Sequence, residues 1–191
     1  MTDGYKSGLK SGQKSGQSSR AFAYTVENEN LRYSMGQINW KALIGSLALS
    51  LGVGVVSALL TMGGMEQYQN MYQPPLAPPG WLFPVVWTIL YILMGVAAYL
   101  VYQEPESEQR STALKFYGIQ LFFNGVWSLI FFGVQAYFLA FAWLLALWFF
   151  IYLTTKEFLQ LNKTAGILMI PYLLWVTFAG YLNLAIAIYY F

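Results

Sequence analysis

Five long runs with no charge in their middles dominate this sequence. Inside hydrocarbon a backbone can satisfy its N–H and C=O groups only as an α-helix or a closed β-barrel. The runs are Ala42 to Met62, Trp81 to Tyr102, Ala113 to Phe132, Tyr137 to Thr155 and Ala165 to Tyr189. Each has about the 20 residues that a helix rising 1.5 Å per residue needs to cross a core of about 30 Å. Barrel strands alternate polar and apolar residues over about 10 positions, and these runs do not. Composition agrees: 58% of the residues are hydrophobic and 9% charged, against roughly 45–50% and 25% in soluble domains. The expected fold is an all-α integral membrane protein, a five-transmembrane-helix bundle over residues 41–191 that forms a ligand-binding domain. Only Gly133 to Ala136 separate the third and fourth runs, so those two form a tight antiparallel hairpin.

Charge placement orients the bundle. Lys6, Lys10, Lys14, Arg20, Arg32 and Lys41 precede the first run. Arg110 and Lys115 flank the loop between the second and third, and Lys156 and Lys163 bracket the loop between the fourth and fifth. The remaining segments carry no Lys or Arg. The positive-inside rule then sets the N-terminus in the cytoplasm and the C-terminus outside, and the expected location is a bacterial plasma membrane. Residues 1–40 repeat Lys-Ser-Gly and offer nothing apolar to bury, so they read as a disordered basic cytoplasmic tail. Such a tail is either a solvated tether or a segment that touches anionic lipid heads. It lacks the apolar core of a signal peptide.

Absences narrow the chemistry. The chain has no cysteine and no histidine, which removes thiolate and imidazole metal sites, disulfides, Ser-His-Asp triads and Cys-His pairs within one chain. No run carries Asp, Glu, Lys or Arg near its centre, whereas ion-coupled transporters keep an ionisable group near the midplane. No catalytic residue, metal or cofactor is assigned, and a proton-driven pump is not the expectation.

The interior polarity is aromatic and amide. In the second run Trp87, Tyr91 and Met94 or Gly95 share one helix face; in the third Gln120, Asn124 and Trp127 do; in the fifth Tyr172, Trp175, Ala179 and Asn183 do. An unpaired amide facing hydrocarbon costs energy, so Gln120, Asn124 and Asn183 face protein or a cavity. The residues either bond helix to helix or wall a pocket. Trp81, at a run's end, suits an interfacial belt, but Trp87 lies about 9 Å deeper and Trp175 about 15 Å from the inner end of its run, too deep for a belt. A pocket walled by aromatic faces and a few amides suits a flat, largely apolar, π-rich molecule.

The stretch "QPPLAPPGWLFPVVW", Gln73 to Trp87, precedes the second run. Pro74, Pro75, Pro78 and Pro79 fix φ, remove donors and push the preceding residues toward extended geometry, so this segment reads as a stiff polyproline-like strap, with a helix only after Gly80. A stiff strap held by its neighbours is how a lid over a cavity is built. In the first run Ala42, Ser46, Ser50, Gly54 and Ala58 recur every four residues, a ladder of small side chains that lets another helix come close.

Three stretches, "QPPLAPPGWLFPVVWTILYILMGVAAYLVY", "QLFFNGVWSLIFFG" and "PYLLWVTFAGYLN", resemble the signatures of the TspO/MBR family, the tryptophan-rich sensory and translocator proteins. The resemblance covers about residues 42–189. It implies a five-helix membrane bundle, commonly a homodimer that pairs through span three, binding porphyrins such as protoporphyrin IX and, in animal relatives, cholesterol and benzodiazepine-type ligands. It also implies that Tyr68, Pro74, Pro75, Leu76, Pro78 and Pro79 belong to the lid, and that Trp175 and Ala179 hold the family's span-five pocket positions. Two positions depart from the family: Leu76 stands where it usually has tryptophan, and Gln67-Tyr68 where it has Trp-Tyr. Some bacterial relatives degrade protoporphyrin in light with a tryptophan pair that includes the Leu76 position, so that activity is not expected here. The animal sterol motif after span five is absent, since "IYYF" carries no basic residue. The expected function is a receptor or sensor for porphyrins or similar flat ligands; the alternatives are a facilitative translocator and a weak light-dependent enzyme. The expected partners are that small molecule, the lipid bilayer and a second copy of the chain, not nucleic acid.

Overall fold

The computed structural model describes residues 38–191. The expected tail lies outside them except for its last positions, of which Trp40 already begins a helix. The fold below is that of Trp40–Phe191. Its elements are α1 (Trp40–Leu60), the short α2 (Gly64–Asn70), α3 (Leu82–Tyr102), α4 (Glu108–Ser128) running on into a π-helical segment (Leu129–Val134), α5 (Tyr137–Leu161) and α6 (Lys163–Tyr189). There is no strand among the described residues, and five of the helices are long and apolar enough to cross a membrane.

Several helices outrun the apolar runs. α4 starts at Glu108 rather than near 113, α5 continues to Leu161 and α6 starts at Lys163. The added residues are polar ones such as Glu108, Gln109 and Gln160, which keep helical hydrogen bonding where the chain leaves the hydrocarbon. The starts are capped by side chains that occupy orphan N–H groups. Ser107 Oγ accepts from the Arg110 N–H at 3.1 Å, and Asn162 Oδ1 accepts from the Ala165 N–H at 3.1 Å. Asn162 also donates to Glu104 at 2.8 Å, tying the two loops at this end together.

Around the bundle the neighbours run α1, α3, α6, α5, α4 and back to α1; the backbone of α1 does not come close to that of α5 or α6. α1 is the peripheral member, with only Ser50 and Ser57 buried. Its small residues bring it close to the others. A Cβ on Gly95 of α3 would lie 3.0 Å from the Leu47 Cα, and a Cβ on Gly54 would collide with the Tyr91 ring. Ser50 donates to the Ser46 carbonyl at 2.9 Å, so its oxygen accepts from the Tyr117 hydroxyl of α4. The ladder therefore packs inside the bundle over its lower half.

At the other end of the molecule, α2 and the proline-rich segment form a cap. The segment is not one continuous extended strap. The Ala77 N–H donates to the Pro74 carbonyl at 3.0 Å, closing a turn with Pro75 and Leu76 at its centre, and Leu76 has a φ of 67°. Proline presets the first central position of such a turn, and the second demands a positive φ that glycine supplies without strain and leucine does not. α3 starts just past the prolines, at Leu82.

Gly54→Leu forces a side chain into the Tyr91 contact and is expected to cost about 1 to 3 kcal/mol of stability. Gly52→Leu on the same helix, where nothing lies within 4 Å of an added Cβ, is expected to leave the thermal midpoint in detergent unchanged. Equal midpoints for the two variants would show that the Gly54 contact does not hold α1 in place.

Candidate functional site

The aromatic stripes of α3, α4 and α6 converge beneath the cap, and the side chains that meet there wall a cavity of about 290 Å³. α3 contributes Phe83, Trp87 and Tyr91, α4 with its π-helical end contributes Trp127, Phe131 and Phe132, and α6 contributes Ala179, Leu182, Asn183 and Ile186. Tyr68 of α2 closes the top, its ring edge-on to Phe83 at 4.8 Å. The fourth wall is α1, through Leu51, Gly54, Val55, Ser57 and Ala58, with Thr61 just past its end. No Lys, Arg, Asp or Glu lines the cavity.

Of the residues expected from sequence, Trp87, Tyr91, Trp127, Ala179, Asn183 and Tyr68 line this cavity; Asn124, Tyr172 and Trp175 do not. Asn124 and Tyr172 are buried side chains joined to Tyr91 by hydrogen bonds. The Tyr91 hydroxyl donates to Asn124 Oδ1, Asn124 Nδ2 donates to the Tyr172 hydroxyl at 2.8 Å, and that hydroxyl donates to Gln120 Oε1 at 3.0 Å. Gln120 Nε2 faces the Met94 sulfur at 3.8 Å. Both amides and both phenols are thereby engaged, and the chain joins α3, α4 and α6. Trp127 Nε1 donates to Asn183 Oδ1 at 3.1 Å, and Asn183 Nδ2 donates to the Tyr137 carbonyl at 2.9 Å. The cavity consequently presents mostly ring faces and methyl groups.

Trp175 packs behind the wall, edge-on to Phe83 at 5.8 Å. Its Nε1 is buried and has no hydrogen-bond partner. Such an orphan donor costs about 1–3 kcal/mol. Pro74, Pro75, Leu76, Pro78 and Pro79 also lie outside the cavity wall. Pro78 is tied to α2: the Tyr68 hydroxyl donates to its carbonyl at 3.4 Å, and burial pushes the Tyr68 phenol above its ordinary pKa, so it stays a neutral donor. Leu76 is 82% exposed.

Sequence reasoning missed the α1 wall, Phe83, and the Phe131–Phe132 pair. Gly54 and Ala58 were visible as rungs of the small-residue ladder, but the ladder reads as a packing surface and not as vacant volume. The phenylalanine pair reaches the cavity where α4 unwinds into the wider π-helix, a feature that recurs at functional sites and has no residue pattern of its own.

Asn124→Ala removes both hydrogen bonds that link Tyr91 to Tyr172 and is expected to destabilise the bundle by about 1 to 3 kcal/mol, since interhelical bonds in membranes are worth about 0.6 to 1.7 kcal/mol each. Thermal unfolding in detergent followed by circular dichroism measures it. A midpoint equal to that of the unaltered chain would mean that the network carries no net stability.

Comparison with known proteins follows the same residues. The sequence pattern of the TspO/MBR family matches residues 46–189. A "Tryptophan-rich sensory protein" of Cereibacter sphaeroides is 40% identical over 146 residues, 76% of this chain and 89% of the relative. A "Tryptophan-rich protein TspO" of Chlorobaculum tepidum is 38% identical over 142 residues, 73% of this chain and 90% of the relative. A "Translocator protein" of Bos taurus is 34% identical over 148 residues, 75% of this chain and 87% of the relative.

Proposed function

Because this chain belongs to the TspO/MBR family, we propose that it is a membrane receptor that binds a flat, largely apolar ligand of the tetrapyrrole class, such as protoporphyrin IX, in the cavity under α2. The observation that carries this reading is the wall itself. Trp87, Tyr91, Trp127, Phe83 and Phe131 surround one space that contains no ionisable carboxylate or amine. Flat π-systems gain offset or edge contacts with such rings.

The resting cavity, about 290 Å³, is at the lower limit of the roughly 300–1,000 Å³ typical of ligand pockets. A macrocycle requires more room. In the proposal a rotation of Phe83, which separates the cavity from Trp175, supplies it and brings the partnerless Trp175 Nε1 within reach of an acceptor on the ligand. No basic residue lines the space, so acidic side groups of a porphyrin stay at its rim, where they remain hydrated, while the ring enters.

Charge asymmetry supports an N-terminus in the cytoplasm and a cap on the outer face of a bacterial plasma membrane. Bacterial relatives such as those of Cereibacter and Chlorobaculum fit that setting. A homodimer is part of the reading through the family resemblance; Gly118, Ile119 and Phe122 on α4 are exposed. Light-driven degradation is not part of it, because Leu76, at the position of the family's reactive tryptophan, points away from the cavity wall into the open. Translocation is the second reading, favoured by an opening in the side of the cavity.

Protoporphyrin IX titrated into the purified chain is expected to quench tryptophan fluorescence saturably. Trp175→Phe is expected to weaken binding by about 0.5 to 1.5 kcal/mol, and Trp81→Phe, at an exposed helix end, to leave it unchanged. Saturable binding untouched by Trp175→Phe would separate the ligand from Phe83 rotation; no saturable binding would remove the tetrapyrrole reading. Porphyrin bound to the native chain is also expected to bleach no faster in light than in an inert apolar site. Rapid conversion to one defined product would revive the enzyme reading.

A further inference from the structure

We propose that the cavity is loaded sideways from the bilayer, through a mouth between α1 and α3, and so takes amphiphiles already dissolved in the membrane instead of solutes arriving from water through the cap. The inference rests on the reading of the cavity as a ligand site and adds its route and the partition behaviour of its ligand.

Most of the cavity wall is buried or half-buried. Its only exposed members are Val55 and Ala58 of α1 and Pro84 and Thr88 of α3. All lie on the two helices that flank one side of the space. Val55 is five residues from the end of α1 and Thr88 six residues into α3, which places them about 8 to 9 Å inside the ends of the spans, a depth that faces hydrocarbon. The mouth has a closed lower lip, because α1 and α3 meet at Gly54 against Tyr91 and again at Gly95 against Leu47. Above Tyr91 both helices line the cavity with residues that are open to the surroundings, Val55 and Ala58 on one side and Pro84 and Thr88 on the other.

The mouth is apolar even where its residues carry hydroxyls. Thr88 Oγ1 donates to the Pro84 carbonyl at 2.7 Å, and Thr61 Oγ1 to the Ser57 carbonyl at 2.8 Å. Each hydroxyl is satisfied by its own helix and turns no open donor toward a passing ring. An apolar body crossing here displaces lipid tails and strips no water from a polar group.

The top is fastened. The Tyr72 N–H donates to the Tyr190 hydroxyl at 3.1 Å, and the Tyr72 ring stacks on Tyr189 at 4.0 Å, with 5° between planes. Tyr181 donates to the Pro75 carbonyl at 2.8 Å. The cap is thus latched to the end of α6 by three tyrosines on that helix and the residue after it, and entry through it breaks two hydrogen bonds and a stack. The side route breaks none.

The chain has no cysteine, so Val55→Cys gives a unique attachment point. Bimane attached there, in proteoliposomes, is expected to be quenched by lipids brominated along the acyl chain and not by aqueous iodide. Quenching by iodide and not by bromolipid would overturn the proposal. In a second arm a benzyl thiosulfonate adduct at the same cysteine is expected to slow protoporphyrin IX transfer from donor vesicles, with reductant restoring the rate and so excluding misfolding. The unlatched double variant Tyr181→Phe, Tyr190→Phe is expected to take up porphyrin at the native rate. Faster uptake by the unlatched variant, together with no effect of the adduct, would place entry at the cap. If the native chain takes up no porphyrin by any route, the tetrapyrrole reading fails, and the bimane arm still decides where the mouth opens.

Discussion

In hydrocarbon the hydrophobic effect does not press helices together, since a lipid tail is as apolar as a leucine. The bundle therefore depends on the line of hydrogen bonds from Tyr91 through Asn124 and Tyr172 to Gln120. Both phenols donate in that line, and Tyr172 both accepts from Asn124 and donates to Gln120. Such a line fixes the rotation of α3, α4 and α6 about their axes, because turning any one of them leaves an amide or a phenol of the line without its partner. Fixing those rotations also fixes which ring faces point away from the network, and these are the faces that wall the cavity.

α1 stands outside that line; Ser50 instead meets Tyr117 of α4 lower in the bundle. Its association relies on close approach, through Gly54 against Tyr91 and through Leu47 against Gly95. Close approach needs small residues along the seam, but small residues above the seam fill no space. Ala58 and Val55 continue the same helix beyond Tyr91 and leave the gap that becomes both the fourth wall and the mouth. One property, side chains too small to fill the groove, thus produces adhesion at one depth and an opening at another.

This double outcome explains what could be read from the sequence. The five spans were legible because apolar length is a direct requirement of bilayer thickness. Membership of the TspO/MBR family was legible because several of its signature residues are the network and the cavity wall themselves: Asn124, Trp127, Tyr172 and Asn183 are few, polar or aromatic, and costly to place anywhere else. Their division of labour was not. Sequence put Asn124 and Asn183 on equal terms, yet Asn124 belongs to the helix-joining line and Asn183 to the wall, a difference set by which neighbour each meets across the bundle. The ladder was visible, but the absence of a side chain at Gly54 or Ala58 is the same signal whether a helix or a void lies opposite. The reversal at Pro75–Leu76 was hidden because leucine is a residue that such a turn does not favour, and the prolines around it argue for extension.

Phe83 connects these parts. Its ring touches Tyr68 of the cap on one side and Trp175 of α6 on the other, and it forms part of the wall. A ligand can shift an equilibrium only by binding one state better than another, and in the proposed reading Phe83 is where that difference arises: rotating it would expose the Trp175 donor to an acceptor and remove the edge contact with Tyr68. With entry from the side, the cap does not have to open for the ligand to pass. The latch of Tyr181, Tyr189 and Tyr190 then has a consistent role, holding the cap closed against water while the rings beneath it rearrange. A carrier that loads and unloads through the cap would need that latch to break in every cycle; a receptor loaded from the bilayer needs it to hold.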